Sequence, residues 1–297
     1  MDLPLRTVLS QCGDEISDPE EDAFLVFSQD IPSHALGIVD PKSSTLDISV
    51  AGRDFTIQQS LGLLTSNRSQ GSTGAVVWKV TPLFAQYVAA QESLLWKSNA
   101  LTASSTVLEL GCGVAGIVPL ALAPHIGRYI ATDQDYVLKL LRQNIAENWS
   151  TADSSTRQSG SKRTKAADVS AARIETATLD WESDSVEGLF HQLNLAKGSG
   201  ASHGGVDAVV ACDCIYNEAL VEPFVNTCAE VCAQRAHFEG APPTYCIIAQ
   251  QLRTYEVFER WLVTFHKRFR VWKIPDEHLS KELRENSGFI VHIGVLR

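Results

Sequence analysis

Short apolar runs alternate with amphipathic stretches from residue 105 to the end of the sequence. Within the amphipathic stretches apolar residues recur at helical spacing, as at Val137, Leu138, Leu141 and Ile145. The fourth run is almost continuously apolar, as expected for a strand that is covered on both faces. The pattern predicts five strands, each followed by a helix. The predicted strands are "TVLEL" (106–110), "RYIATD" (128–133), "RIETATLDW" (173–181), "VDAVVACDCIY" (206–216) and "TYCIIAQQ" (244–251).

Two further apolar runs, at 270–274 and 288–296, close the sequence without a helical pattern between them. Alternating strands and helices form parallel sheets with right-handed crossovers, whereas strands joined only by a loop most simply pair antiparallel. We therefore predict an α/β protein with a Rossmann-like, seven-stranded, mostly parallel sheet. Helices are expected on both faces of this sheet, and the last two strands are expected to form a C-terminal antiparallel hairpin.

The first 75 residues have a different pattern. Three β-like runs, "AFLVFSQ" (23–29), "TLDISVAG" (45–52) and "RDFTIQQS" (53–60), are separated by turn-forming residues. This predicts a small N-terminal β extension, residues 1–75, ahead of a main domain at 76–297.

An insertion interrupts the main domain at residues 150–172, which are rich in Ser, Thr and Ala and lack apolar periodicity. Such a segment cannot bury enough apolar surface to fold, so we predict that it is disordered. Its basic residues could contact nucleic acid, with an ordinary solvated loop as the alternative. They are Arg157, Lys162, Arg163 and Lys165.

Composition limits the classes of function. No apolar stretch approaches the roughly 20 residues of a membrane span, and the first residues lack the basic and apolar regions of a secretory signal. We expect a cytoplasmic protein with no membrane partner, and leave the nucleus open as a second location. The formal charge of −10 disfavours binding to phosphate backbones. It suits a basic partner, although the charge is also explained by solubility alone.

The seven cysteines lie mostly in apolar strand or helix patterns, as free buried thiols do in a reducing compartment. Cys212-x-Cys214 and Cys228-x-x-x-Cys232 lack the paired C-x-x-C spacing that is typical of zinc sites. We therefore predict no metal site.

The stretch "VLELGCGVAG" (107–116) contains Gly111, Gly113 and Gly116 in a G-x-G-x-x-G pattern, which is typical of a dinucleotide or another adenosine cofactor. Glu109 precedes the first glycine by two positions. A charge inside a central strand costs several kcal/mol unless a group pairs with it. A pyrophosphate would be repelled there, whereas S-adenosylmethionine offers an ammonium, a sulfonium and ribose hydroxyls. Glu109 therefore favours S-adenosylmethionine.

Acids also follow the next three predicted strands, at the sheet edge where ligands bind. Asp133 is spaced to accept hydrogen bonds from ribose hydroxyls, although it could instead cap the next helix, for which Asp135 is better placed. Asp180 and Trp181 could bind the adenine amino group and stack on its ring, or be a turn acid and a core tryptophan. Just past the fourth strand, "DCIY" (213–216) would place Asp213 and Tyr216 beside the sulfonium. The alternative is that Asp213 is a turn acid and Tyr216 a packed tyrosine.

In this order and on these strands, "ELGCGVAG", "ATD", "LDW" and "DCIY" resemble the class I, seven-strand S-adenosylmethionine-dependent methyltransferases. The "DCIY" and the upstream "TGAVVWKVTP" resemble the family 16 protein-lysine methyltransferases, in which a D-x-x-Y motif follows the fourth strand. "DCIYNEALVEPFVNTC" is most similar to their fungal ribosomal lysine methyltransferase branch. The resemblance covers roughly residues 55–297.

The resemblance implies a cofactor, S-adenosyl-L-methionine, and a place for each matching residue. Those placed at the cofactor are Trp78, Gly111, Cys112, Gly113, Asp133, Asp180, Trp181 and Cys212. Of these, the glycine loop lies against the methionine part, Asp133 holds the ribose, and Trp181 with Asp180 lines the adenine. Asp213 and Tyr216 belong to the lysine site. Lys79 stands where many relatives have proline.

The predicted function is methylation of a lysine in a basic, large-subunit ribosomal protein by a monomeric enzyme that does not act on nucleic acid. Asp213 would orient the lysine ammonium, and Tyr216 would form one side of the slot that binds the lysine. A chaperone or an elongation factor is a second kind of target. The residues also leave open a nucleic-acid or small-molecule methyltransferase, a non-catalytic scaffold and a dinucleotide oxidoreductase. The number of methyl groups added stays open.

Overall fold

The computed structural model describes residues 3–33, 37–65, 72–152, 173–195, 204–236 and 241–297. Seven strands form one sheet in the order β5-β4-β3-β6-β7-β9-β8. These strands are β3 (Thr106–Leu110), β4 (Arg128–Asp133), β5 (Ile174–Thr178), β6 (Ala208–Cys212), β7 (Tyr245–Gln251), β8 (Phe269–Lys273) and β9 (Phe289–Leu296).

The first five strands of this sheet are parallel, and β9 pairs antiparallel with both β7 and β8. The predicted fold class is therefore confirmed, including the antiparallel C-terminal pair. Strand order reverses between β3 and β6, so a crevice opens at the carboxyl ends of these two strands. The predicted third and fourth strands end earlier than their apolar runs, and the residues beyond them belong to the loops at that crevice.

Helices cover both faces of the sheet. In the main domain they are α4 (Val80–Ala89), α5 (Leu94–Lys97), α6 (Ile117–Leu122), α7 (Asp135–Ala152), α8 (Val186–Gln192), α9 (Glu218–Ala236) and α10 (Tyr255–Arg268). One core layer packs α4, α6 and α7 on the sheet, and the other packs α8, α9 and α10 on the opposite face. Because side chains of a strand alternate between faces, Val107 joins the first layer and Leu108 the second.

The N-terminal part contains both helices and strands. Its elements are α1 (Leu3–Gln11), α2 (Pro19–Phe27), β1 (Thr45–Val50), β2 (Arg53–Gln58) and α3 (Leu61–Leu64), and β1 pairs antiparallel with β2. Two of the three predicted β-like runs, 45–52 and 53–60, thus contain strands, and these strands form a hairpin. The boundary at residue 75 stays a prediction, although Phe55 and Ile57 of β2 share a hydrophobic core with α4.

The prediction of a β-run at "AFLVFSQ" is wrong, because residues 23–27 end helix α2. Asp18 caps this helix by accepting from the backbone N–H groups of Glu20 and Glu21, and Pro19 occupies its first turn. These are strong helix-start signals. Ala23 and Val26, three residues apart, form the buried side of the helix.

Helix α7 holds the hairpin through two buried asparagines. Asn144 accepts from the Gln58 N–H (2.9 Å) and donates to the Gln58 carbonyl (2.9 Å), while Asn148 accepts from the Thr56 N–H (2.8 Å) and donates to its carbonyl (3.0 Å). The side chains therefore cover the free edge of β2, which would otherwise expose unpaired backbone groups. Of the predicted insertion, residues 150–152 end α7 and residues 153–172 lie outside the described residues. Within the described ranges, no helix is both long enough and apolar enough to cross a membrane.

Candidate active site

A cleft opens at the carboxyl ends of β3, β4, β5 and β6. Every residue that the sequence predicts for the site lines this cleft: Trp78, Glu109, Gly111, Cys112, Gly113, Asp133, Asp180, Trp181, Cys212, Asp213 and Tyr216. The structure thus brings together four separate strand ends and an upstream segment. The roles of these residues stay predictions, and their geometry limits what each can do.

The glycine loop requires glycine at its first two positions. Gly111 and Gly113 have φ of +65° and +62°, a region that side chains disfavour. A Cβ on Gly111 would lie 2.7 Å from Cys214 Sγ, and one on Gly113 would lie 3.2 Å from the Gly74 carbonyl oxygen. That carbonyl accepts a hydrogen bond from the N–H of Val114 (2.8 Å). The upstream turn Thr73–Ala75 therefore closes over the loop and forms one wall of the cleft.

Glu109 is a buried acid, with 2% of the residue exposed. Its Oε2 accepts a hydrogen bond from the Tyr129 hydroxyl (2.9 Å). Among the described residues it has no cationic partner. Burial raises the pKa of Glu109 to about 8; the Tyr129 hydrogen bond opposes this rise and the nearby Asp133 adds to it. A ligand that brings positive charge to this carboxylate would offset its desolvation.

Asp133 ends β4 with both oxygens facing backbone donors. Oδ2 accepts from the N–H of Gly113 (2.8 Å) and Oδ1 accepts from the N–H of Gln134 (2.7 Å). Burial raises the pKa of Asp133 to about 6 despite these two bonds. A carboxylate has about four lone-pair sites, so acceptor capacity remains for ribose hydroxyls. Helix α7 begins at Asp135, two residues beyond.

Asp180 and Trp181 form the wall beyond β5. Asp180 accepts from the Gln134 side-chain amide (2.9 Å) and from the N–H of Glu182 (3.0 Å), so it shapes the turn, as a turn acid does. The ring of Trp181 meets that of Phe224 edge to face, with centroids 5.1 Å apart. Both residues also line the cleft, where they can contact a bound ligand.

Asp213 and Tyr216 form the opposite side of the cleft. Asp213 has φ +61°, and its carboxylate, 1% exposed, accepts two hydrogen bonds of 2.6 Å from the guanidinium of Arg253. Tyr216 is 37% exposed and its hydroxyl accepts from Thr73 Oγ1 (3.0 Å). Burial is the main cause that raises the pKa of this phenol. Tyr216 thus joins the D-x-x-Y loop to the upstream turn at the mouth of the cleft.

Arg253, Gln134 and Thr73 contribute to the site but were not predicted from the sequence. Arg253 lies two residues after β7, at the same sheet edge as the predicted acids, and this position was the available signal. Its guanidinium also lies over the ring of Trp78, 5.3 Å from the centroid. The ion pair means that the Asp213 carboxylate is already balanced by a cation before any lysine arrives.

Three thiols border the cleft, those of Cys112, Cys212 and Cys214. Burial is the largest cause that raises the pKa of each thiol well above its ordinary value, so all three stay neutral at physiological pH. All seven cysteines are free. Within the described part of the chain, no group of three His, Cys, Asp or Glu side chains is arranged to bind a metal ion.

A family model described as "Lysine methyltransferase" matches residues 57–253. A relative from Zygosaccharomyces rouxii, named ribosomal lysine N-methyltransferase 5, is 30% identical over 240 residues, which cover 70% of this chain and 69% of that protein. A relative from Schizosaccharomyces pombe, named diaminohydroxyphosphoribosylamino-pyrimidine deaminase, is 28% identical over 269 residues. The match covers 90% of this chain but only 55% of the S. pombe protein.

Among solved structures, the chain is similar to the Pyrococcus abyssi tRNA (uracil-54, C5)-methyltransferase in complex with S-adenosyl-L-homocysteine. The TM-score is 0.41 at 11% identity, and the match covers 86% of this chain and 45% of that one.

Proposed function

Since the chain belongs to the lysine methyltransferase family, we propose that it transfers a methyl group from S-adenosylmethionine to the ε-nitrogen of a lysine in a basic ribosomal protein. The family match confirms the resemblance that the glycine loop and the D-x-x-Y motif predicted. The single observation that carries the proposal is the joining of these two motifs in one cleft, one at each side.

The residues of the cleft fit the cofactor. S-adenosylmethionine carries an ammonium and a sulfonium, and Glu109 offers a buried carboxylate whose only described partner is a phenol. The left-handed loop at Gly111 lets the ligand approach the backbone closely. Asp133 keeps acceptor sites for the ribose, and Trp181 offers an aromatic edge for the adenine. When bound, the cofactor supplies the methyl group on a positively charged sulfur.

The reaction needs a neutral amine. The lysine nitrogen lone pair forms the new N–C bond, and the electrons of the C–S bond return to sulfur, which leaves S-adenosylhomocysteine. The product is a methylated ammonium, and one proton is released to water for each methyl group transferred to a lysine that binds as an ammonium. Since free lysine has a pKa near 10.4, the slot must favour loss of that proton. Most of the acceleration then comes from holding the amine in line with the methyl group.

Tyr216 and Asp213 are proposed to form the acceptor slot. The exposed Tyr216 ring stands at the mouth, fixed by Thr73, where it can flank the alkyl part of a lysine. Asp213 lies deeper and is held by Arg253. The charge of −10 supports a basic protein as the partner.

A large-subunit ribosomal protein is the proposed target, supported by the name of the Z. rouxii relative. We further propose that the enzyme acts as a monomer in the cytoplasm. In the S. pombe relative, 45% of the protein lies outside the match. Because its name applies to the whole protein, we do not assign a deaminase activity to this chain.

The test is transfer of labelled methyl groups from S-adenosylmethionine into a lysate of a yeast strain that lacks its own relative of this enzyme. We expect one main labelled protein in the large ribosomal subunit, with methyl-lysine identified by mass spectrometry. A lysate from the parent strain is the matched control, because its target is already methylated and should take up little label. Label in RNA, or in small molecules only, would contradict the proposal.

A further inference from the structure

We infer that Arg253 is a positioning residue for the acceptor lysine: through Asp213 it balances the charge of the slot, so that the bound lysine loses its proton. This inference rests on the proposed function. It concerns a residue outside the D-x-x-Y motif, 40 residues beyond its aspartate in the chain.

The geometry fixes the pair from several sides. Arg253 Nη1 donates to Oδ1 of Asp213 and Nη2 to Oδ2, both over 2.6 Å, and the N–H of Gln251 donates to Oδ1 over 3.2 Å. The guanidinium is held over the ring of Trp78. A two-pronged pair of this kind defines direction as well as charge, so the carboxylate cannot turn freely toward an incoming ligand.

An isolated Asp213 would oppose the reaction. An opposite charge within about 4–6 Å favours the charged form of a group and shifts its pKa by roughly 1–3 units. A lone carboxylate would therefore attract the lysine ammonium but raise its pKa and keep the nitrogen lone pair protonated. The methyl group could not be transferred to that form.

With Arg253 in place, one carboxylate is shared between two cations when the lysine binds. The slot then carries a net positive charge, which disfavours the second cation. Arginine does not lose its proton in proteins, whereas lysine does so readily when it is desolvated. The lysine is therefore the group that becomes neutral, and its proton leaves to water before the N–C bond forms.

Other titratable groups near the pair do not account for the effect. They are Lys79 beside Trp78, Cys212, Cys214 and Tyr216 on the strand and loop of Asp213, and Glu109 and Asp133 across the cleft. Burial raises the pKa of the two thiols and the phenol, so these stay neutral. Lys79, Glu109 and Asp133 are present in every variant, and all profiles are measured at saturating cofactor, so these groups contribute equally to the profiles that are compared.

The test measures kcat against pH between 6.5 and 9.5 with protein from large ribosomal subunits of the deletion strain as the acceptor. For Arg253→Gln, the acid limb of the profile should move up by about one pH unit, with about tenfold lower kcat at pH 8. KM for the acceptor should stay unchanged or fall. Arg253→Lys should restore part of the activity, since it keeps the charge but not the fork.

Asp213→Asn supplies an independent arm with the opposite sign. It removes the negative charge but leaves Arg253, so the acid limb should move to lower pH even where kcat is reduced. This arm decides the question even if Arg253→Gln fails to fold.

Arg270→Gln is the matched control. Arg270 pairs with Glu15 (2.7 and 2.9 Å) and lies over the ring of Trp272, 4.9 Å from the centroid. Like Arg253, it thus pairs with an acid and lies over a tryptophan ring, but it does not line the cleft. Its profile should match that of the wild type.

If the wild-type enzyme labels lysine while the acid limbs of the Arg253→Gln and Asp213→Asn profiles stay where they are in the wild type, the inference is overturned but the proposed function is not. No labelled lysine with wild-type enzyme would overturn the proposed function and the inference together.

Discussion

Tyr129 and Glu109 meet across the neighbouring strands β4 and β3, where the tyrosine hydroxyl donates to the glutamate over 2.9 Å. Neither residue exposes more than 2% of its surface. The phenol stabilises one oxygen of a carboxylate that has lost most of its hydration, but it brings no positive charge. Glu109 is therefore arranged to favour a cationic ligand over an anionic one.

Glu109→Gln is expected to weaken the binding of S-adenosylmethionine. Loss of a charge-assisted contact costs about 1.5–3 kcal/mol, which corresponds to roughly 10- to 150-fold in Kd. Isothermal titration calorimetry measures the change. Glu175→Gln is the control, because Glu175 pairs with Arg128 at the amino ends of the strands. Equal affinities for the two variants would show that Glu109 does not contact the cofactor.

Stability of the cofactor-free protein should fall as pH rises from about 4.5 to 8. The pKa of Glu109 is raised from 4.5 to about 8, so the folded state binds more protons than the unfolded state within this window. By linkage, the stabilising effect of the protonated form is lost as pH passes through the folded pKa. Urea unfolding at several pH values should show this slope, and Glu109→Gln should reduce it. A slope unchanged by the substitution would contradict the assignment to Glu109.

Binding of the cofactor should release protons near pH 7. Glu109 is largely protonated in the free protein there, and a bound cation favours its ionised form. Calorimetric heats in buffers of different ionisation enthalpy give the number of protons released. Fewer protons are expected from Glu109→Gln, whereas identical release would assign the proton to another group.

Gly111→Ala should impair both stability and cofactor binding. Its new Cβ would meet Cys214 Sγ at 2.7 Å and the Trp181 ring at 3.0 Å, in addition to about 1–2 kcal/mol of left-handed strain. Gly52→Ala carries the same strain, because Gly52 has φ +71°, but its Cβ would have no neighbour within 4 Å. Thermal unfolding of the two variants separates crowding from strain. Similar losses would mean that the loop tolerates the extra atom.

Asn144→Ala should destabilise the fold through the hairpin attachment. The side chain bonds both backbone groups of Gln58 and the carbonyl of Val114. Each buried group left unpaired costs about 1–3 kcal/mol, so we expect a loss of at least about 3 kcal/mol in the free energy of unfolding. Gln143→Ala on the same helix, where the side chain is exposed, should change little. If Asn144→Ala matched this control, water would have replaced the lost bonds.

Much of the fold was accessible from the sequence because the physical signals were local. The five βα units follow from periodicity, and the acids at Glu109 and Asp133 stand at fixed spacings from the glycine loop. The apolar run of helix α2 is only five residues long, which is too short for periodicity to distinguish a helix from a strand. The N-cap residue Asp18 and the proline that follows it indicate the start of a helix more reliably.

Arg253 could not be assigned from spacing alone. Its partner Asp213 is 40 residues away in the chain, and the two meet only because β6 and β7 are neighbours in register. The contact of Arg253 with Trp78 depends on packing of the upstream turn, which no local pattern specifies. Placement at the same sheet edge was predictable, whereas the ion pair was not.

The position of β9 between β7 and β8 has a consequence for local unfolding. Among the described strands, β8 pairs only with β9, and the N–H of Leu252, next to Arg253, donates to the carbonyl of Gly288 just before β9. Release of β9 would therefore leave β8 without a strand partner and loosen the turn that carries Arg253 in one step. In hydrogen exchange, amides of β8 and β9 should open as one cooperative unit. The acceptor side of the cleft would then open whenever the β8–β9 unit opens. The glycine loop would open only together with the central strands.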